Sequence, residues 1–181
     1  MGLREDITSR STRVGVIGLG YVGLPMALAA ADAGFEVIGL EKELDKRERL
    51  KQGEAVYEGL DTDLLKTLIS NKKFLVSDDA SDLNRCKVIC VCVPTPLSKN
   101  RDPDLSFVQE AARLIEAAVH NGERPKAVIV ESTSYPGTTR DIVEPFSWGA
   151  ASSPASISTS RIRPRGSTRG VRIGTSSTPP S

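Results

Sequence analysis

The feature that most constrains this chain is the run from Val14 to Gly23, VGVIGLGYVG. An apolar stretch short enough for a buried strand leads into Gly18, Gly20 and Gly23, and the small or apolar residues of Leu24-Pro25-Met26-Ala27 follow at once. Strand, glycine-rich turn and helix in that order are what a dinucleotide site requires. Gly18 turns the chain sharply off the strand, Gly20 keeps a side chain from standing between backbone and pyrophosphate, and Gly23 lets the helix lie close to the sheet. The helix start adds free backbone N–H groups and the positive end of its dipole.

A second apolar run, Phe35 to Leu40 (FEVIGL), gives Val14–Leu40 the span of one βαβ unit, with an alanine-rich helix between the strands. It ends in an acid. Glu41 follows Gly23 by 18 residues, where a carboxylate accepts hydrogen bonds from the adenosine ribose hydroxyls. The same charge repels a 2′-phosphate, so the pattern favours NAD over NADP. Lys46, five residues further on, is placed to meet that ribose or the adjoining phosphate. The plainer alternative is a glycine-rich turn in a non-binding α/β protein, with Glu41 and Lys46 as solvated helix charges.

Further along, helical segments are expected at Glu43–Gln52, which Gly53 ends, and within Asp61–Lys73, capped by Asp61 or Thr62. A short strand at Phe74–Ser77 leads through a polar connection to Lys87–Val93 (KVICVCV), which Pro94-Thr95-Pro96 cuts off. Thr95 is thereby fixed at the carboxyl end of a central strand, the edge where open α/β sheets bind ligands. It serves either as a cofactor contact or as a rigid strand exit. Phe107–His120 reads as an amphipathic helix whose inner face holds Val108, Ala111, Ala112, Ile115 and Val119. A last strand at Ala127–Val130 runs out through Glu131-Ser132-Thr133, and one more helix is expected over Thr138–Pro145. The result is a Rossmann-like, doubly wound α/β fold with a parallel sheet in the order 3-2-1-4-5.

The N-terminal domain is bounded at residues 13–146, after a polar leader over residues 1–12 that is expected to be disordered. Residues 1–146 carry 19 basic and 23 acidic groups, a formal balance of −4, which argues against nucleic acid as the main partner. No apolar run approaches a membrane span, and the polar N-terminus lacks a signal-peptide core, so a cytoplasmic protein is expected. Cys86, Cys90 and Cys92 sit in or beside one strand and read as small buried hydrophobes, with no metal site expected. His120, the single histidine, reads as a surface residue at a helix end.

Three ordered motifs, VGVIGLGYVGLPMA, VICVCVPTPLSKNRDPDLS and VIVESTSYPGTT, together resemble the N-terminal domain of the UDP-glucose/GDP-mannose dehydrogenase family over about residues 13–146. Within it the KNRDPDLS loop is most similar to UDP-N-acetylglucosamine 6-dehydrogenases. The resemblance implies NAD-dependent oxidation of the C6 alcohol of a UDP-sugar to a carboxylate, in two hydride transfers through a thiol-linked intermediate. By motif it implies that Gly18, Gly20, Tyr21, Val22 and Gly23 hold the pyrophosphate, that Glu41 and Lys46 hold the adenosine ribose region, and that Thr95 lies toward the nicotinamide. It implies too that Thr133 positions a water or the substrate hydroxyl beside the chemistry. Glu41 departs from the more usual Asp. The family's nucleophilic cysteine falls further along its chains and has no counterpart here. Family members are oligomers, and the sequence leaves the state of this chain open.

From Ser147 the composition changes abruptly: residues 147–181 include ten Ser, four Thr, four Gly, four Pro and five Arg, with no Asp, Glu or Lys. Too few apolar side chains remain to offset ordering, so a non-globular tail is expected. Such a break points to a frameshifted or truncated gene product that binds NAD without completing turnover. The alternative is a non-catalytic NAD-binding interaction module that uses its basic tail on an acidic partner. A third reading is a β-hydroxyacid-type dehydrogenase with a similar first domain, which the KNRDPDLS resemblance disfavours.

Overall fold

The computed structural model describes residues 2–96, 104–121, 127–132 and 156–159. The expected parallel sheet is present. Its strands are β1 (Arg13–Ile17), β2 (Glu36–Leu40), β3 (Phe74–Ser77), β4 (Cys86–Val91) and β5 (Ala127–Val130), in the order β3-β2-β1-β4-β5. A sixth strand, β6 (Ser156–Thr159), adds to β5 in parallel, Ala127 opposite Ser156. It lies in the stretch expected to be a tail; the rest of residues 147–181, and the helix expected over Thr138–Pro145, fall outside the described residues.

Helix α2 (Gly23–Asp32) follows β1, and Leu24, Ala27, Leu28 and Ala31 form its buried face. Helices α3 (Leu44–Lys51) and α4 (Thr62–Ser70) follow β2. The Asp61 carboxylate caps α4 by accepting a hydrogen bond from the Leu64 N–H at 2.9 Å, while Leu65 and Leu68 are sunk in the core. Helix α5 (Ser106–Asn121) covers the other face of the sheet through Val108, Ala111 and Ile115, and Ala112 is buried as well. The inner face read from its periodicity is therefore the packed one over these four positions, and the side chains of Val119 and His120 lie outside the described residues. Two apolar layers result, one under α2 and α4 that includes Phe74 and Val16, and one under α5 that includes Ile89 and Val91.

The leader is a correction. Residues 2–12, expected to be disordered, contain helix α1 (Leu3–Thr8), and Asp6 is 2% exposed. The physical reason lies in β4. Between Arg13 and Val14 the pairing with β4 slips from Cys86 to Val88, leaving Lys87 as a bulged extra residue. Lys87 Nζ reaches the Asp6 carboxylate at 3.2 Å and ties α1 to the sheet. The slip also separates the cysteines. Cys90 and Cys92 share the layer under α2, as their two-residue spacing predicted, whereas Cys86 joins the layer under α5.

Candidate functional site

Every strand of a parallel sheet delivers its last residue to the same edge, and here the exits of β1, β2, β3, β4 and β5 together line a cleft of about 900 Å³. Gly18, Gly20, Tyr21 and Val22 come from the first exit, Glu41 and Lys46 from the second and its following helix, and Thr95 from the fourth. Seven of the nine residues singled out by sequence thus meet in one space. Gly23 lies buried behind the loop, and Thr133 is outside the described residues.

The three glycines differ physically. Gly18 has φ +89°, and a Cβ there would stand 2.7 Å from the Cys92 carbonyl oxygen at the β4 exit. A Cβ on Gly23 would collide with the Gly18 carbonyl oxygen and meet Cys92 Cβ at 3.0 Å, so α2 can approach the strand exits this closely only without one. Around Gly20 nothing lies within 4 Å of a Cβ position; it borders the cleft itself. No side chain caps the α2 start; the Leu24 N–H donates to the Gly20 carbonyl at 3.1 Å and the Met26 N–H to the Val22 carbonyl at 3.2 Å.

Leu19, between the first two glycines, anchors the loop. It is fully buried, and Gly39 of β2 makes room for it: a Cβ at residue 39 would lie 2.7 Å from Leu19 Cδ2 and 3.0 Å from Phe74 Cε2. Tyr21 points outward, 80% exposed, and its ring lies 4.8 Å from that of Tyr57 at a tilt of 37°. Burial raises the Tyr57 phenol above its ordinary value, with a smaller push from Tyr21.

Glu41 ends the β2 side of the cleft, 9% exposed. One carboxylate oxygen accepts the Leu19 N–H at 3.3 Å and pairs with Lys46 Nζ at 2.7 Å; the other accepts the Glu43 N–H at 3.1 Å. Burial alone would push this carboxyl up, but the Lys46 ammonium and the two backbone N–H groups outweigh it and hold the group below its ordinary value of 4.5. Lys46 therefore points at Glu41 itself. Arg47, 8% exposed, donates to the carbonyl of Glu41 at 3.2 Å and to that of Lys42 at 3.4 Å, and pairs with Asp78 at 3.1 Å.

Sequence reasoning missed several lining residues: Lys42, Asp78, Phe107, Glu110 and Ser132. Lys42, Asp78 and Ser132 follow strands β2, β3 and β5 by one or two residues, so the rule applied to Thr95 would have found them. Phe107 and Glu110 come from α5, and the Glu110 carboxylate meets Lys42 Nζ at 2.7 Å across the cleft. Cys92 also lines the cleft, but its thiol is buried and pushed up to about 12; Cys86 and Cys90 are raised by burial to about 12 and about 11. None of these three thiols is a nucleophile near neutral pH.

Residues 12–158 match the family model for the NAD-binding domain of the UDP-glucose/GDP-mannose dehydrogenase family. The chain belongs to that family. Its dinucleotide is accordingly NAD, and the strand-exit cleft has the parts to take it: a glycine loop open at Gly20, an uncapped helix start and a buried carboxylate. Among relatives, the chain is 38% identical over 128 residues to the UDP-N-acetyl-D-mannosamine dehydrogenase of Pyrococcus horikoshii, covering 70% of this chain and 30% of that one. It is 32% identical over 142 residues to a UDP-N-acetyl-D-glucosamine 6-dehydrogenase of Pseudomonas aeruginosa, covering 76% of this chain and 32% of that one. The solved structure of the UDP-D-ManNAc dehydrogenase from Pyrococcus horikoshii superimposes with a TM-score of 0.72 at 32% identity, covering 84% of this chain and 37% of that one. The chain spans about a third of the length of the family members it matches. Among the described residues no helix is long and apolar enough to cross a membrane, and no group of three His, Cys, Asp or Glu side chains could hold a metal ion.

Proposed function

We propose that this chain supplies the NAD-binding half of a nucleotide-sugar 6-dehydrogenase, an oxidoreductase that converts the C6 alcohol of a UDP-sugar to a carboxylate. The observation that carries the reading is the convergence of the Gly18–Gly23 loop, the Glu41–Lys46 pair and Thr95 at one edge of a parallel sheet. NAD supplies the hydride acceptor. The backbone around Gly20 and the α2 start take the pyrophosphate, with Tyr21 and Val22 flanking it. Glu41 accepts hydrogen bonds from the adenosine ribose hydroxyls, and Lys46 keeps that carboxylate ionised and aimed. Thr95, on the fourth strand exit, lies toward the nicotinamide half, and the role of positioning a water or the sugar hydroxyl is assigned to Thr133 from the family motif alone. The wider reading puts the protein in the cytoplasm, where its cofactor and UDP-sugars are held.

Calorimetric titration of the chain with NAD, NADP and UDP-N-acetylglucosamine tests this. NAD binding that exceeds NADP binding is expected, with no turnover by these residues alone because none of the three buried thiols can form the thiol-linked intermediate. Failure of NAD to bind at millimolar concentration refutes the assignment. A second reading rests on the five arginines without an acid in residues 147–181, which suit an acidic partner. Deleting those residues separates the two: a partner lost with NAD affinity intact supports an interaction module, and an unchanged partner profile refutes it.

A further inference from the structure

Helix α5 turns one stripe toward the cleft: Phe107, Glu110 and Leu114, at helical spacings of three and four, all line it. On the β1 and β2 exits opposite, Ile17 and Leu40 are buried in the layer under α5, and Lys42 Nζ meets Glu110 Oε1 at 2.7 Å. The result is a slot with apolar walls and a charged rim, since the Lys42 and Glu110 side chains are 83% and 45% exposed. Such a slot suits a flat heteroaromatic ring, which hides its faces and presents a polar edge. Lys42 follows Glu41 directly, so the ring that belongs there is the one carried by the adenosine ribose. We propose that Glu110 selects the base of the dinucleotide, accepting a hydrogen bond from the exocyclic 6-amino group of adenine, with Lys42 as the residue that positions it. The inference rests on the reading that this ribose lies against Glu41.

An ionised carboxylate only accepts hydrogen bonds, and the 6-amino group of adenine donates them. A 6-oxo purine puts a second acceptor at that point, so two oxygens face each other with neither satisfied. A site built on one polar partner discriminates against a ligand that lacks it, because its own polar group is then left unpaired. Lys42 holds Oε1, and among the described residues no group bonds Oε2, which leaves that oxygen for the base. An ion pair this exposed contributes little to folding, and alanine is a good helix former in α5, so both residues can be replaced in a folded chain.

The test titrates the full chain in parallel with NAD and with nicotinamide hypoxanthine dinucleotide, which replaces the 6-amino by a 6-oxo group. The native protein should bind NAD roughly 10-fold more tightly, the lower end for a hydrogen bond to a charged group because Glu110 is partly exposed. Glu110→Ala should bring the two affinities together by weakening NAD alone. Glu110→Gln, whose amide donates as well as accepts, should bring them together by strengthening the hypoxanthine dinucleotide. Lys42→Met should narrow the preference and Lys42→Arg keep it, which a purely structural role for the lysine would not do. Equal binding of both dinucleotides by the native chain overturns the inference while leaving the NAD assignment intact; failure of NAD to bind removes both. A preference that survives Glu110→Ala, or an equal loss of both dinucleotides in that variant, also overturns base selection. A preference untouched by Lys42→Met overturns the positioning role.

Discussion

Replacing Gly23 and Gly20 one at a time by alanine separates what holds the fold from what holds the ligand. In Gly23→Ala the new methyl collides with the Gly18 carbonyl oxygen and stands 3.0 Å from Cys92 Cβ. The first is backbone and cannot rotate away, so α2 must back off from the strand exits. Overpacking of this kind costs about 1–3 kcal/mol, and a backbone obstacle places it near the top of that range. For a chain of this size about 2–3 kcal/mol corresponds to a melting temperature lower by roughly 4–12 °C, and NAD affinity should fall with the displaced helix start. Gly20→Ala is the counterpart. Its methyl meets nothing within 4 Å, so stability should stay within about 0.5 kcal/mol of the native protein. On the proposed placement of the pyrophosphate that methyl stands in its path, and losing one charge-assisted hydrogen bond, about 1.5–3 kcal/mol, should weaken NAD roughly 10- to 100-fold. Denaturant unfolding followed by circular dichroism and calorimetric NAD titration, on the same preparations, read the two quantities separately. Gly20→Ala protein that binds NAD at native strength, or that loses stability as Gly23→Ala does, would refute the division of labour.

Three further outcomes are expected. Lys46→Met should raise the Glu41 pKa, since the ammonium is the largest group lowering it; a carboxylate with a depressed pKa stabilises above its unfolded value of 4.5 and loses that as pH falls through the folded value. In the variant the acid limb of a stability–pH profile should move to higher pH, and an unmoved limb would count against the pair. The three thiols should resist a disulfide reagent in the native chain at pH 8 and react together on unfolding, because burial raises all three to about 11–12; fast native labelling would contradict this. Lys87→Met removes the Lys87–Asp6 ion pair and should cost roughly 1–3 kcal/mol, less than a fully buried pair because Lys87 is partly exposed, with α1 becoming more open to proteolysis. Digestion that still spares residues 1–12 would exclude the bulge as the tether.

Much of the fold was legible because its signals are local. The β1 run, the glycine spacing and the proline stop at Pro94 each act through sterics within a few residues, and the α5 stripe declares its buried face by periodicity. What escaped was set at a distance. α1 is held by Lys87, 81 residues away, and only because a bulge in β4 turns that side chain toward it. Lys46 was expected to meet the same ligand as Glu41, whereas its bond to Glu41 itself depends on how α3 leaves the sheet. Lys42 and Asp78 were within reach of the strand-exit rule, whereas Glu110 enters the cleft only because α5 folds back across it.

For the Glu41 site itself the division is the same. The chain's order alone dictated a strand, a glycine turn, a helix and then an acid, since backbone sterics and spacing admit little else. That the acid is buried, that Leu19 and Glu43 offer it their N–H groups and that Arg47 braces the turn beneath it were decided by tertiary structure. Those contacts join three strand exits that meet only when parallel strands align their carboxyl ends.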